Sequence, residues 1–331
     1  MISKRSTLHA VISAVLVATV AVPAAHAQKG DAAAGFPSRP IRVIVPFTPG
    51  GQPDIFARMI GQKAGETLGQ QIVVDNRPGA GGMIGSRIVA EANPDGHTLL
   101  SISPAHVIGP SVRKLPYNTK RDFAGVSRAY IAAYLLVVAP SLGVKSTQEL
   151  IAMAKAKPGQ LNMASAGLGS GTHFAGEFFK FSAGIDAVHV PFKGIPEATN
   201  DIIAGRVQFF MAPLSSSVPL VKDGRIRALG VSTVKRVSVL PDVPTIAESG
   251  LKGFKFDSWG AIFAPSKTPR AIINKLNHAI AGALAHPDVV KRMHALGAEP
   301  SPTTPQELDR IVARELVVIK KIADAAGIKP Q

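Results

Sequence analysis

Two glycine-rich turns carry the residues with the clearest chemical potential. The first is Val45-Pro46-Phe47-Thr48-Pro49-Gly50-Gly51, followed by Gln52, Pro53 and Asp54. The second runs from Ala164 to Thr172 and contains Ser165, Ala166, Gly167, Gly169, Ser170, Gly171 and Thr172. Each joins an apolar, strand-like run to a segment of helical periodicity. The first N–H groups of a helix lack partners within it and lie at the positive end of its dipole. Glycine lets such a backbone come close to a ligand. The chemistry on offer is the holding of an anion. A single turn of this kind is most simply a tight turn. A pair, one in each half of the chain, could grip one carboxylate, or one at each end of a diacid. Each helix end contributes about 0.3–1 kcal/mol when exposed and up to about 2 when partly buried. Charge-assisted hydrogen bonds add about 1.5–3 kcal/mol each. Together these support micromolar-class affinity without a buried arginine. Asp54 would repel such a ligand. It is therefore expected to bond backbone N–H groups in its own first turn and to order the loop.

The elements that must position these turns follow one grammar of apolar run, turn and helix. Ile41–Phe47 and Pro53–Leu68 form the first such unit, with Pro53 suited to the first helical position. Strands are expected at Gln71–Val74, Thr98–Ile102, Ala133–Ala139, Leu161–Ala164, Ala187–Phe192, Val207–Met211, Arg227–Val231 and Phe256–Phe263. Helices are expected at Met83–Ala92, from the Ser146–Glu149 capping box to Ala156, after Thr172, and at Glu197–Ala204. In the helix after Thr172, Phe174, Phe178 and Phe181 are placed near one face. This alternation predicts an α/β fold with a largely parallel sheet. The two long apolar runs, Ala133–Ala139 and Phe256–Phe263, would cross between two domains. The tail (Arg270–Ala285, Asp288–Leu296, Pro305–Ala326) reads as helices with no strands between them, packed back on the first domain. The expected division is 36–136 plus 264–331 for domain 1 and 137–263 for domain 2.

Composition narrows the function. Lys4 and Arg5, the apolar stretch Val11 to Ala25 and Ala25-His26-Ala27 form a secretory signal peptide, 1–27, with cleavage after Ala27. Roughly 300 residues remain, enough for two domains. Cysteine is absent, which removes thiolate nucleophiles and zinc–thiolate sites. The formal charge of +15 loses Lys4 and Arg5 with the signal, and 15 − 2 leaves +13. These charges are scattered singly, without arginine-rich runs or interleaved aromatics, so nucleic acid is not the expected partner. A general positive field draws anionic solutes instead.

Enzyme motifs fail in turn. Gly50-Gly51-Gln52-Pro53 lacks the P-loop lysine. Gly79 and Gly81 are followed by Ile84 where a dinucleotide fingerprint needs glycine. The seven histidines beyond the signal show no metal spacing, and Ser170 beside His173 is no triad. Ser111 and Lys114 match SxxK, but the motifs that accompany it are missing. No enzyme activity, metal or cofactor is expected.

The motifs in order resemble one family. They include Pro40–Phe47 with Pro49-Gly50-Gly51 and Asp54, Asn76-Arg77-Pro78-Gly79-Ala80-Gly81-Gly82 and Pro94-Asp95-Gly96-His97-Thr98. Ser165-Ala166-Gly167 with Gly169-Ser170-Gly171-Thr172-His173, His189–Gly194, Leu240–Thr245 and Leu296–Pro300 complete the set. From about Phe36 to Ile328 the chain is similar to the Bug family of extracytoplasmic solute receptors, the TctC-like receptors of tripartite tricarboxylate transporters. The resemblance implies a type II periplasmic binding protein, two α/β domains closing on a ligand between them. It implies that Phe47 to Gln52 and Ser165 to Thr172 hold a carboxylate, and that Lys193 and Gly194 line the same cleft. Ser103 and Ala212 join the ligand-binding candidates. A periplasmic location, a monomer, and a partner that is either the transporter's permease subunits or a membrane sensor kinase also follow from it. Three places depart or stand apart. Gln52-Pro53 replaces the commoner Gly-Thr. Ala212-Pro213 stands where many relatives carry Asp-Ser or Asp-Asn, which leans away from amino acids toward plain carboxylates. His106, after Ser103-Pro104-Ala105, is placed where it could reach the cleft, although a lone histidine is more often structural.

Overall fold

The structure, a computed structural model, describes residues 33–325, 328 and 330. The expected signal peptide lies outside the described residues. The described residues belong to one compact unit. No helix among the described residues is long and apolar enough to cross a membrane.

The first stretch alternates strand and helix. β1 (Ile41–Val45) turns into α1 (Gln52–Leu68), and β2 (Ile72–Asn76) into α2 (Met83–Ala90) through a 3-10 turn at Ala80–Gly82. β3 (Thr98–Ile102), α3 (Ala105–Val112) and the long β4 (Phe123–Ala132) follow. Next come β5 (Tyr134–Val138), α4 (Thr147–Ala156), β6 (Asn162–Ser165), α5 (Gly171–Ala183) and β7 (Val188–Pro191). α6 (Ile195–Ile203), β8 (Phe209–Pro213), α7 (Leu214–Lys222) and β9 (Arg227–Val231) end that stretch. The chain closes with β10 (Ser258–Pro265), α8 (Arg270–Ala285), α9 (Pro287–Ala295), β11 (Ala298–Pro300) and α10 (Pro305–Ala325).

Two sheets result, in the orders β11-β4-β10-β3-β1-β2 and β7-β6-β8-β5-β9. The α/β class holds, but neither sheet is largely parallel. β1 pairs parallel with β2 and β3, while β10 runs antiparallel to both β3 and β4. In the second sheet β6 pairs parallel with β7 and β8, and β5 antiparallel with β8 and β9. The antiparallel pairings come from strands that enter each sheet from the other. β4 passes into β5 across the single residue Ala133, and β10 returns from the second sheet to the first. Such strands arrive without the βα crossover that makes neighbours parallel.

Three further expectations are corrected. The tail does contain a strand. β11 separates α9 from α10 and pairs antiparallel with β4 through Ala298↔Ala132 and Glu299↔Ile131. Phe181 is 54% exposed, because the buried face of α5 is Phe174 and Phe179. Finally, α3, β4 and α7 were not expected at all.

The caps follow their residue types. Pro53 occupies the start of α1, and Gly69 ends it in the left-handed region at φ 69°, where glycine carries no steric cost. Ser146 accepts from the Glu149 N–H at 3.1 Å and Lys145 N–H donates to Glu149 Oε2 at 2.7 Å. Thr304 and Glu307 exchange the same pair of bonds before α10. α10 packs on α3 and β4, so it lies against the first sheet. One apolar core fills the space between that sheet and α1 and α8, with Phe56, Tyr130 and Leu276 at its centre. A second core runs without a break from Phe47 and Ile102 to Tyr134, Phe174 and Phe210 of the second sheet. Burying each such aromatic side chain contributes about 1.5–3 kcal/mol, so the region beneath the two turns is firmly supported.

Candidate functional site

The two glycine turns meet. Phe47, Gln52, Pro53 and Ser103 from the first sheet face Ala166, Ser170, Gly171 and Thr172 from the second around one small cavity. Tyr134, Ile195 and Pro213 close it. About 280 Å³ of empty space, part of it open to solvent, lies between these residues.

The first turn is organised by a carboxylate. Asp54, 4% exposed, accepts from the Gly50 N–H at 2.9 Å, from Arg58 Nε at 3.0 Å and from Asn76 Nδ2 at 3.0 Å. Asn76 Nδ2 also donates to the Phe47 carbonyl at 3.0 Å, and Arg58 Nη2 to Asn76 Oδ1 at 2.9 Å. Asp54 thus folds the loop back on itself and spends its charge on Arg58 and on backbone. Gly50, at φ +81°, supplies the left-handed residue that lets its N–H reach that carboxylate.

The second turn is organised by hydroxyls and neutral imidazoles. Ser170 caps α5 by accepting from the His173 N–H at 3.1 Å. Its Oγ lies 3.0 Å from Thr172 Oγ1, which accepts from the Ala166 N–H at 2.9 Å. Ser165 Oγ accepts from the Gly167 N–H at 3.1 Å and sits 2.6 Å from His189 Nε2. The rings of His173 and His189 lie 4.2 Å apart. Burial, and then the nearby charges of His189, Lys180 and Arg113, bring His173 down to about 3. Burial and then Lys180 bring His189 down to about 4. Both rings are neutral at pH 7. The N–H groups of Gly171 and Thr172 open a thirteen-residue helix and have no acceptor within it.

Three contacts bridge the two sheets at the rim. Thr48 Oγ1 donates to Glu197 Oε2 at 3.1 Å. Arg113, steadied within the first sheet's own loops by donating through Nη1 to the Ala80 carbonyl at 2.7 Å, reaches across through Nη2 to the Leu168 carbonyl. Gly81 lies so close to the second turn that a Cβ there would stand 1.9 Å from the Leu168 carbonyl oxygen.

The predicted residues divide by place. Phe47, Gln52, Ser103, Ala166, Ser170, Gly171 and Thr172 line the cavity. Thr48 and Gly194 meet each other at the rim, where a Cβ on Gly194 would stand 1.8 Å from Thr48 Oγ1. Gly50 and Gly51 approach Pro196 and Ile195, and Pro49 is exposed. Gly167 and the exposed Lys193 line a neighbouring hollow with Arg113 and Glu197. Ser165 is buried beneath its loop, and Gly169 lies against Val112 and Arg113. Ala212 is buried within β8, paired with Leu135, and the next residue, Pro213, reaches the cavity instead. His106 is fully buried, its ring 4.2 Å from that of Phe263 and 5.0 Å from that of Phe123. It does not line the cavity, and burial pulls it down to about 3.

Sequence reasoning missed Tyr134, Ile195, Pro213, Arg113 and Gly81. Tyr134 carries the one signal that could have been read, as the sole polar side chain in the run Ala133–Ala139. Burial pushes its phenol well above the usual tyrosine range, opposed by a hydrogen bond with Ser258.

Two mixed sheets, each bringing a glycine turn to a shared cavity, define the class of the two-domain periplasmic binding proteins. The comparisons with known proteins narrow this. The sequence model of the tripartite tricarboxylate transporter family receptors (TctC) matches residues 56–328. The chain belongs to this family. It is 37% identical over 284 residues to protein BugT of Bordetella pertussis, covering 85% of this chain and 87% of that one. The solved structure of Rpa4515 of R. palustris with adipate is 36% identical, with a TM-score of 0.87, covering 89% of this chain and 100% of that one. MatC of Rhodopseudomonas palustris, with bound malate, is 33% identical, with a TM-score of 0.82, covering 87% and 99%.

Proposed function

We propose that this protein is a periplasmic receptor that captures a small carboxylate between two domains and delivers it to the membrane subunits of a tripartite transporter. The observation that carries the reading is the meeting of the two glycine turns, each at the start of a long helix, around one buried cavity. The N–H groups that open α5 are the main donors for one carboxylate of the ligand; at the start of α1 Pro53 has no N–H and Asp54 already takes that of Gly50, which leaves Gly51 and Gln52 to assist. Two partly buried helix starts supply up to about 2 kcal/mol each, and the hydrogen bonds to the carboxylate about 1.5–3 each. Family membership and the dicarboxylates held by two relatives, adipate and malate, support the same ligand class. The two domains centre on the two sheets, and the chain crosses between them at Ala133 and again between Val231 and Ser258. Ligand favours the closed arrangement in which Thr48, Gly81 and Arg113 meet the second sheet's loops. Residues 1–27 direct export, and no bound compound is turned over.

A thermal-shift screen of di-, tri- and aromatic carboxylates tests the reading. At least one carboxylate raises the melting temperature in a concentration-dependent way and is recovered unchanged. A rise produced only by sugars or cations, or conversion of the bound compound, would overturn it.

A further inference from the structure

Gln52 stands out among the polar side chains of the cavity. It is 1% exposed, yet its Nε2 has no hydrogen-bond partner among the described residues. Its other end is fixed, because Ser258 Oγ donates to Gln52 Oε1 at 2.7 Å. Ser258 is itself fully buried in β10, and Tyr134 bonds to it from β5. The amide is thus held from behind through Oε1, its Nε2 is unpaired among the described residues, and Gln52 lines the cavity. A buried donor without a partner is costly, and native interiors seldom keep one without a reason. In the proposed reading the N–H groups that open α5 hold one end of an anion. An amide donor elsewhere on the wall, with no negative charge of its own, suits an acceptor oxygen further along the same molecule.

We infer that Gln52 is a specificity-determining residue whose side-chain amide donates to a second acceptor group on the ligand, so that the site selects dicarboxylates over monocarboxylates of equal chain length. Ser258 is its positioning residue. The inference rests on the carboxylate-receptor reading and adds to it the second group that the ligand must carry.

The test pairs succinate with butyrate and adipate with hexanoate, measured by calorimetry on wild type, Gln52→Met and Ser258→Ala. Gln52→Met keeps the length and burial of the side chain and deletes both donors. In wild type one diacid binds at least about tenfold more tightly than its chain-matched monoacid. In Gln52→Met that ratio collapses toward one, mainly through loss of diacid affinity. In Ser258→Ala, where the amide is free to turn, the ratio falls part of the way. A second readout needs no variant. In ¹⁵N-labelled wild type, the Gln52 side-chain amide resonances shift on titration with the diacid and stay in place with the monoacid. A diacid preference that survives Gln52→Met, or wild-type binding with no such preference, overturns the inference and leaves the receptor reading standing. Wild type that binds no carboxylate overturns both.

Discussion

The two turns that face each other across the cavity do the same geometric job with opposite chemistry. The first is gathered around one buried negative charge, Asp54, which collects Gly50, Arg58 and Asn76. The second is gathered around neutral groups, with Ser165, Ser170 and Thr172 bonding three N–H groups of the loop and helix start and His189 bonding Ser165. An anion entering the site therefore meets a first lip whose helix start already answers to a carboxylate. It meets a second lip that carries no charge. The difference teaches that the second lip is the freer anion donor, while the first supplies shape and, through Gln52, selection.

Removing the charge from the first lip is the strongest way to break this comparison. Asp54→Asn leaves one acceptor oxygen for three donors and an uncompensated Arg58. Because Arg58 is half exposed, the cost lies below that of a fully buried pair, at about 2–3 kcal/mol of stability. Urea denaturation should show that loss, and carboxylate affinity should fall at least about tenfold. A variant with wild-type stability and affinity would mean that Asp54 does not organise the loop.

Acidity tests the second lip. In the folded protein His173 and His106 are brought to about 3 and His189 to about 4, whereas an unfolded histidine titrates near 6.5. Between these values the unfolded chain binds more protons, so stability is fully present above about pH 6.5 and is lost as the pH falls toward 4. Differential scanning calorimetry from about pH 7.5 to 4.5 should show a falling melting temperature, and His189→Gln should flatten part of the slope. A flat profile would contradict the neutral imidazole pair.

The smallest effect sharpens the contrast. Ser170→Ala removes a neutral cap and should cost about 1 kcal/mol, less than the charge in the first lip. Equal losses for Asp54→Asn and Ser170→Ala, measured by the same urea titration, would erase the distinction between the lips.

What could be read before the structure was local. The turns, the Pro53 start of α1 and the capping boxes all depend on residues within a few positions of one another. The cavity's other walls are not local. Tyr134 and Pro213 come together because β5 and β8 pair antiparallel with those two residues in register. Nothing near either residue in sequence announces this. β4 was missed because Gly125, Ser127 and Arg128 interrupt its apolar pattern, and two register shifts against β10, which pass over Val126 and Ala129, break its alternation further. α7 hid behind three consecutive serines and Pro219. The order of the first sheet was also beyond reach, since β10 inserts between β3 and β4 from more than 120 residues downstream of β4 (258 − 132 = 126).

That insertion has a consequence in time. The second sheet is complete once Val231 has left the ribosome, since all five of its strands lie between Tyr134 and that residue. The first sheet begins 93 residues earlier (134 − 41) and finishes later. β3 and β4 have no shared edge until β10 arrives, and β4 stays unpaired on its far side until Ala298–Pro300 follows. Long-range pairing of this kind is slow. The half of the protein that is made first is thus the half that matures last, and the sheet that carries the Asp54 lip is complete only once Ala298–Pro300 has paired with β4.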